Sequence, residues 1–491
     1  MSLKSGKSIK KNYIYNVSYQ ILSLITPLIT TPYLSRTLGA DGIGTVSFAE
    51  SVVSYFVLFA TFGMTTYGQR EISYVQDNKS RRTIVFWETK LLEVITSCVA
   101  MIIYIPLALR QQNQMMYLVL ALNIMAVTAD VTWFFQGMEE FGKIVIRNIF
   151  FKIINIIYIF AFVKTKNDIV IYAFGIAFFL FLSNASLWVY LPKYICRFKL
   201  KDIHPFKNIG VVISLFVPTI AVQVYTVLDK TMIGLITQSA YENGYYEQAI
   251  KISKVVLTIV TSLGTVMIPR VGYHYAKGEL DKVNYYMYRA YCFVWFMGIP
   301  ICFGLQGIAS NFVPWFYGPG FDKVVPLLSI LGFLVLSIGI NNVTGIQYFI
   351  PTQRQNLFTL TVVIGAVVNF ALNLVLIHYF QSIGAAISSV VAETVIALVQ
   401  IYIVRKELSP KIIFISAWHY LIAGVIMFLA LKIMDYVLSP NWVHTFIMIG
   451  VGASLYIGVL ILIRDDFLMT NLNNVKNKLL MKIKKICRQI E

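Results

Sequence analysis

The chain has 491 residues, 58% of them hydrophobic and 13% charged, with a mean hydropathy of +0.71. That composition excludes a soluble enzyme and describes a polytopic membrane protein. The formal net charge of +18 raises nucleic acid as a partner, and the placement of the basic residues along the chain excludes it.

A bilayer crossing needs roughly 20 apolar residues, and that length predicts about fourteen transmembrane helices in an all-α bundle. In chain order they cover approximately 13–34, 43–64, 84–107, 115–137, 145–163, 169–191, 210–236, 246–268, 287–306, 324–344, 358–379, 383–404, 416–436 and 443–463. The first follows a basic segment, lacks a small-residue cleavage site and, at about 22 residues, is too long for a signal-peptide core, so it is expected to stay as a helix. With both termini cytoplasmic, 30 of the 41 Lys and Arg residues fall in inward segments. The outward segments hold only Arg36, Arg110, Lys164, Lys166 and Lys323. This is the positive-inside pattern, and it supports an even number of crossings. The basic tail 476–488 then reads as a lipid-headgroup contact, with no nucleic-acid role.

The five cysteines, Cys98, Cys196, Cys292, Cys302 and Cys487, form no Cys-x-x-Cys, and the five histidines form no His-Glu-x-x-His. No phosphate-binding glycine loop is present, so neither a disulfide framework, a zinc site nor nucleotide hydrolysis is indicated, and no cofactor is expected. The longest outward loop, near 307–323, holds Pro314, Pro319 and three glycines, too little for a catalytic platform. Function is therefore expected in the helices.

An internal echo organises those helices. At an offset of 200, Val17, Ala40, Gly44, Ala49, Thr61 and Arg70 recur as Val217, Ala240, Gly244, Ala249, Thr261 and Arg270. Helices one and two then match seven and eight in direction, which predicts two parallel six-helix lobes, 1–208 and 209–407, with a terminal helix pair and basic tail in 408–491. Transporters built from such repeats place substrate between them. Pro27, Pro32 and Pro218 lie in the leading helix of each lobe, as kinks or bending points.

The closing stretch of the fourth span, Asp130-Val-Thr-Trp-Phe-Phe-Gln-Gly-Met-Glu139, resembles the signature of the polysaccharide repeat-unit (Wzx-like) flippases of the multidrug/oligosaccharidyl-lipid/polysaccharide exporter superfamily. Further matches are Arg36-Thr-Leu-Gly-Ala-Asp-Gly-Ile-Gly44, Gly63-Met-Thr-Thr-Tyr-Gly-Gln-Arg-Glu-Ile72, Leu228-Asp-Lys-Thr-Met-Ile-Gly234 and Gly244-Tyr-Tyr-Glu-Gln-Ala249. Asn369 and Asn373, Gly384-Ala-Ala386 and Glu393 extend the likeness, which covers about residues 10–410. The resemblance implies a two-lobed transporter, not an enzyme, that carries an undecaprenyl-pyrophosphate-linked oligosaccharide across the bacterial cytoplasmic membrane by alternating access. It implies O-antigen, capsule or exopolysaccharide assembly, with a polysaccharide polymerase and a chain-length regulator as partners. Lys230 departs from the arginine common after the aspartate in related transporters and lacks the bidentate fork.

Candidate site residues follow from charge placed in oily sequence, which is costly unless it faces a cavity or a partner. Lys251 and Lys254 share a helix face, about 8 and 13 Å from the outward end. They read as a pyrophosphate site, or as snorkelling lysines with Glu247 pairing Lys251. Asp229 and Lys230 diverge by about 100° around their helix, so substrate and interhelical contacts both stand. Lys90 and Lys152 lie about 10 Å from the cytoplasmic ends of helices three and five. Lys90 either faces a cavity or pairs with Glu93, while Lys152 has no acidic neighbour one turn away and reads as a cavity cation. Glu50 and Glu393 read as coupling carboxylates or as interhelical hydrogen-bond acceptors. Asp130 reads as part of an inward gate, and Trp133, Phe134 and Phe135 as headgroup-level aromatics. Arg70 and Arg270, equivalent in the repeat, read as an entry funnel for a phosphate headgroup or as positive-inside anchors. Deep lysines favour an anionic cargo over the cationic drugs of an antiporter. A peptidoglycan-precursor flippase is the nearest alternative, and a polymerase is disfavoured by the missing outward loop.

Overall fold

The structure, a computed structural model, describes residues 5–415 and 417–473, and every regular element among them is helical. The basic tail 476–488 lies outside the described residues. The first eight helices are α1 (Ser5–Thr61), α2 (Met64–Tyr74), α3 (Lys79–Ala108), α4 (Gln114–Ala129), α5 (Thr132–Gly137), α6 (Phe141–Phe162), α7 (Ile169–Ser186) and α8 (Ile209–Thr237). They are followed by α9 (Ala240–Thr261), α10 (Gly264–Ala276), α11 (Leu280–Tyr317), α12 (Val324–Asn341), α13 (Gln355–Val404), α14 (Pro410–Ile415), α15 (Ala417–Val437) and α16 (Trp442–Leu462). A π-helical stretch, Asn342–Phe349, extends α12.

Ten stretches among the described residues are long and apolar enough to cross a membrane. The expected count of fourteen exceeds that number. Two of the ten, Gln20–Tyr74 and Gln355–Val404, include helices joined at a kink, at Gly39 and Gln381 respectively, and the first also takes in α2. Helices α8 and α9, 29 and 22 residues long, lie outside the ten. Gly39 has φ +71°, a conformation glycine adopts without the Cβ penalty. The predicted fourth span is not continuous: it breaks at Asp130, whose backbone is extended, and resumes as α5.

The 200-residue echo is repeated in the element boundaries. Beyond the Gly39 kink, α1 runs to Thr61 and α2 starts at Met64, while α9 runs Ala240–Thr261 and α10 starts at Gly264. The same helix–turn–helix thus occurs twice in one register.

By packing, the chain forms two compact units, Met1–Gln248 with Ile377–Ser382, and Ala249–Leu376 with Ile383–Glu491. In the first, α1 packs on α3, α4, α6 and α8, and α4 packs on α7. In the second, α11 is the central helix, flanked by α12, α15 and α16, with Tyr291, Ile299 and Met448 in a continuous buried core. Burial of this kind supplies van der Waals contact and not a hydrophobic gradient, since lipid is as apolar as the core.

Candidate functional site

The Asp130 break ends the regular hydrogen bonding of α4, so its last carbonyls turn to other partners; of these, Val127 keeps the Asp130 amide at 3.0 Å. Side chains from α3, α7 and the turn after α7 reach them. Asn184 Nδ2 donates to the Ala126 carbonyl at 2.9 Å, and Trp188 Nε1 to that of Ala129 at 2.8 Å. Lys90 Nζ donates to the carbonyls of Val127 at 3.2 Å and Asp130 at 2.8 Å. Its third proton goes to Glu93 Oε2 at 2.6 Å, and both side chains are almost fully buried. A cation at a helix C-terminus also complements the helix dipole. An ammonium has three donors, so Lys90 keeps none for a phosphate here; the pairing with Glu93 is the reading the geometry selects.

Asp130 Oδ1 accepts the Thr132 amide at 2.8 Å and so starts α5. Trp133, Phe134 and Phe135 are fully buried and packed with Phe86 and Leu187. These rings fill an internal cluster with Phe86 of α3.

A second set of charges closes in the first unit. Lys230 on α8 forms an ion pair with Glu247 on α9, which also accepts from Ser47 Oγ at 3.1 Å. The neighbouring Tyr246 hydroxyl donates to Asp229 Oδ2. Glu247 thus contacts both α8 and α1. Gln248 Nε2 donates to Ser35 Oγ at 3.0 Å, and Glu242 Oε2 accepts from Ser382 Oγ at 2.6 Å.

Close backbone approach makes these contacts accessible. A Cβ added at Gly44 would lie 1.7 Å from the Ala240 carbonyl oxygen, and one at Gly244 would lie 2.0 Å from that of Ala40. Each glycine of the repeat thus faces the alanine four residues before its counterpart, a reciprocal small-residue crossing of α1 and α9.

The repeat-equivalent arginines diverge. Arg70 is bidentate to Glu71 Oε1, through Nε at 3.1 Å and NH2 at 2.8 Å. At the equivalent of Glu71 the second copy has Val271, fully buried. Arg270 instead lines a pocket of about 600 Å³ in the second unit together with Arg289, Tyr285, Tyr286, Thr470 and Asn471. Its guanidinium lies 6.0 Å from the Tyr286 ring; that of Arg289 lies 5.0 Å from Phe467 and donates to Asn471 Oδ1 at 3.5 Å. Among the described residues neither arginine has a carboxylate partner. Sequence reasoning counted Arg289 only as an inward anchor; the adjoining Tyr285 and Tyr286 were the available signal.

The remaining candidates are dispersed. On α9, Lys251 is half-buried and Lys254 exposed. Lys152 on α6 is half-buried and donates to Ser23 Oγ at 2.9 Å, and Glu50 is half-buried on α1. Glu393 on α13 accepts from Asn341 Nδ2 on α12 at 2.9 Å, and Gln400 Nε2 bridges Asn341 Oδ1 at 2.8 Å and Thr361 Oγ1 at 3.1 Å. Glu393 thus makes an interhelical hydrogen bond. Beyond α13, Glu407 receives both oxygens' bonds from Arg354 at 2.8 Å and one from Tyr348. Burial raises the Glu407 carboxyl, and these hydrogen bonds outweigh it, leaving the group below the usual glutamate value.

A kinked, multi-pass helical bundle with charged groups paired inside it is the build of an integral membrane protein. Residues 9–273 match the family described as "Polysaccharide biosynthesis protein", and the chain belongs to that family. It is 24% identical over 412 residues to an Escherichia coli (strain K12) protein named as an O-antigen transporter, covering 82% of this chain and 97% of that one. The fold is similar to the solved lipid II flippase MurJ in an inward closed conformation, with a TM-score of 0.69 at 16% identity, covering 92% of this chain and 99% of the other. An inward-facing multidrug MATE transporter gives a TM-score of 0.63 at 13% identity, over 84% and 95% of the two chains.

Proposed function

We propose that the protein is a flippase for a lipid-linked oligosaccharide, with an undecaprenyl-pyrophosphate carrier, in the bacterial cytoplasmic membrane. Both termini face the cytoplasm, and the product feeds O-antigen, capsule or exopolysaccharide assembly through a polymerase and a chain-length regulator. The observation that carries this reading is the pocket holding Arg270 and Arg289 without a carboxylate. Two guanidiniums flanked by aromatic rings suit a diphosphate, which accepts bidentate bonds and is costly to desolvate alone. The positive-inside pattern supports a cytoplasmic position for this pocket, on the side where the loaded lipid is made.

The proposed cycle has the two six-helix lobes expose the site alternately to each face. Arg270 and Arg289 receive the headgroup, Lys251, Lys254 and Lys152 accompany it through the membrane, and the lipid tail stays in the bilayer. Glu50 and Glu393 are the candidates for ion coupling. Arg70, Lys90 and Lys230 are held by Glu71, Glu93 and Glu247 and serve the scaffold in this conformation.

The test is reconstitution into liposomes with a defined undecaprenyl-pyrophosphate oligosaccharide, following its appearance in the opposite leaflet, with lipid II and a cationic dye as parallel cargoes. Transport of the oligosaccharide lipid, lost in Arg270→Ala/Arg289→Ala and in Lys251→Ala/Lys254→Ala, is expected. Transport of lipid II alone would assign the peptidoglycan reading, and efflux of the dye alone the antiporter one.

A further inference from the structure

We infer that an uncharged, amide-lined pocket in the first unit is a binding site for the sugar portion of the cargo, separate from the arginine pocket. The inference rests on the flippase reading and adds a subsite to it. The pocket has a volume of about 530 Å³, within the range of small-molecule sites. Gln111, Gln112 and Asn113 reach it from the α3–α4 connection, and Gln238 and Asn243 from the corner between α8 and α9, with Phe48 of α1 beside them. Among the described residues no Asp, Glu, Lys or Arg lines it.

Asn243 points to a ligand. It is 0% exposed, and among the described residues neither its Oδ1 nor its Nδ2 has a hydrogen-bond partner. A buried unpaired amide costs about 1–3 kcal/mol per group, so its retention in a wall of further amides calls for a partner that both donates and accepts. Each carboxamide offers two donors and an acceptor in one plane, the complement of neighbouring sugar hydroxyls. A pyranose also has an apolar C–H face, and the Phe48 ring supplies an apolar wall. A phosphate would require the Arg or Lys that the pocket lacks. The chemistry therefore separates the two ends of the cargo: guanidiniums for the diphosphate and carboxamides for the saccharide. On the orientation proposed above, the α3–α4 connection and the α8–α9 corner face outward, so the sugar is held on the side of delivery. Gly44 and Ala240, which meet in the reciprocal crossing, also line the pocket, so its shape is tied to that contact.

The test uses the full-length protein in nanodiscs and two probes: lipid-linked oligosaccharide extracted from the native host, and undecaprenyl pyrophosphate without sugar. Asn243→Leu keeps the volume and removes the hydrogen bonds, and Gln112→Ala alters an exposed wall residue without touching the core. Asn243→Leu is expected to weaken the sugar-bearing lipid about tenfold, to leave the bare lipid within about twofold, and to raise the melting temperature because two unpaired buried groups are gone. Gln112→Ala is expected to weaken the sugar-bearing lipid about threefold. Unchanged sugar-lipid affinity in both variants overturns the inference, as does an equal loss for both probes with a lowered melting temperature, which would make Asn243 a scaffold residue. A wild-type protein that binds both lipids equally removes the sugar subsite alone; one that binds neither removes the flippase reading with it.

Discussion

The segments 40–71 and 240–271 share a register and a helix–turn–helix, yet they treat charge in opposite ways. In the first, Arg70 is neutralised by the adjacent Glu71. In the second, Val271 replaces the acid and Arg270 turns into a pocket with a second arginine. Conversely, Ser47 in the first copy is answered by Glu247, which neutralises Lys230. One repeat thus supplies the acid that ties down a scaffold lysine, while losing the acid that would have occupied a guanidinium. A duplicated fold becomes directional in this way: the backbone is kept and a few carboxylates move.

The comparison breaks most sharply at the closed charges. Replacing Lys90 with Met leaves Glu93 buried without its cation and takes a donor from the Val127 and Asp130 carbonyls, and should cost about 3–5 kcal/mol in thermal unfolding in detergent. Lys90→Met with Glu93→Leu should recover most of that loss, because an apolar pair substitutes for a buried ion pair at little cost. If the double variant is no better than the single one, the carbonyl contacts and not the ion pair dominate.

At the open charges the order of effects reverses. Arg270→Gln with Arg289→Gln should change stability by no more than about 1 kcal/mol, since neither residue neutralises a carboxylate, while transport falls at least about tenfold. Restoring the missing acid by Val271→Glu should mimic the first repeat and reduce transport with Arg270 still in place; undiminished transport would detach Arg270 from the cargo.

Smaller effects test the periphery. Gly244→Ala forces α1 and α9 apart at a backbone contact and should cost about 1–3 kcal/mol in unfolding. The Arg354–Glu407 contact sets a pH dependence. Glu407 is held below its ordinary value, so its contribution is present above the unfolded glutamate value and lost as pH falls through the lower folded one. Both groups are near a third exposed, so solvent screening keeps the effect below about 1 kcal/mol, and Glu407→Gln should remove it from an acid-unfolding profile.

Much of this architecture was legible in the sequence, because hydropathy and length report crossings directly. The predicted run 443–463 corresponds to Trp442–Leu462, and 210–236 to Ile209–Thr237. The 200-residue echo, sparse as identities, reappeared as shared helix boundaries. Lys90 and Glu93 were legible as an i,i+3 pair. The carbonyls of Val127 and Asp130 that complete the Lys90 site were not, because they depend on a helix break inside an uninterrupted apolar run. Glu247 was similarly ambiguous: local spacing offered Lys251, and its contact with Lys230 on α8 comes from tertiary packing. Arg289 stayed hidden because one arginine among inward basic residues carries no local mark; only the fold sets it beside Arg270.

The reciprocal glycine crossing has an evolutionary corollary. Because Gly44 rests on Ala240 and Gly244 on Ala40, enlarging either glycine displaces both helices, and no single change on the facing helix makes room against a carbonyl oxygen. The four positions can drift only together. The repeat therefore carries one shared constraint instead of two independent ones, and its two copies stay coupled at this point although their charges have parted.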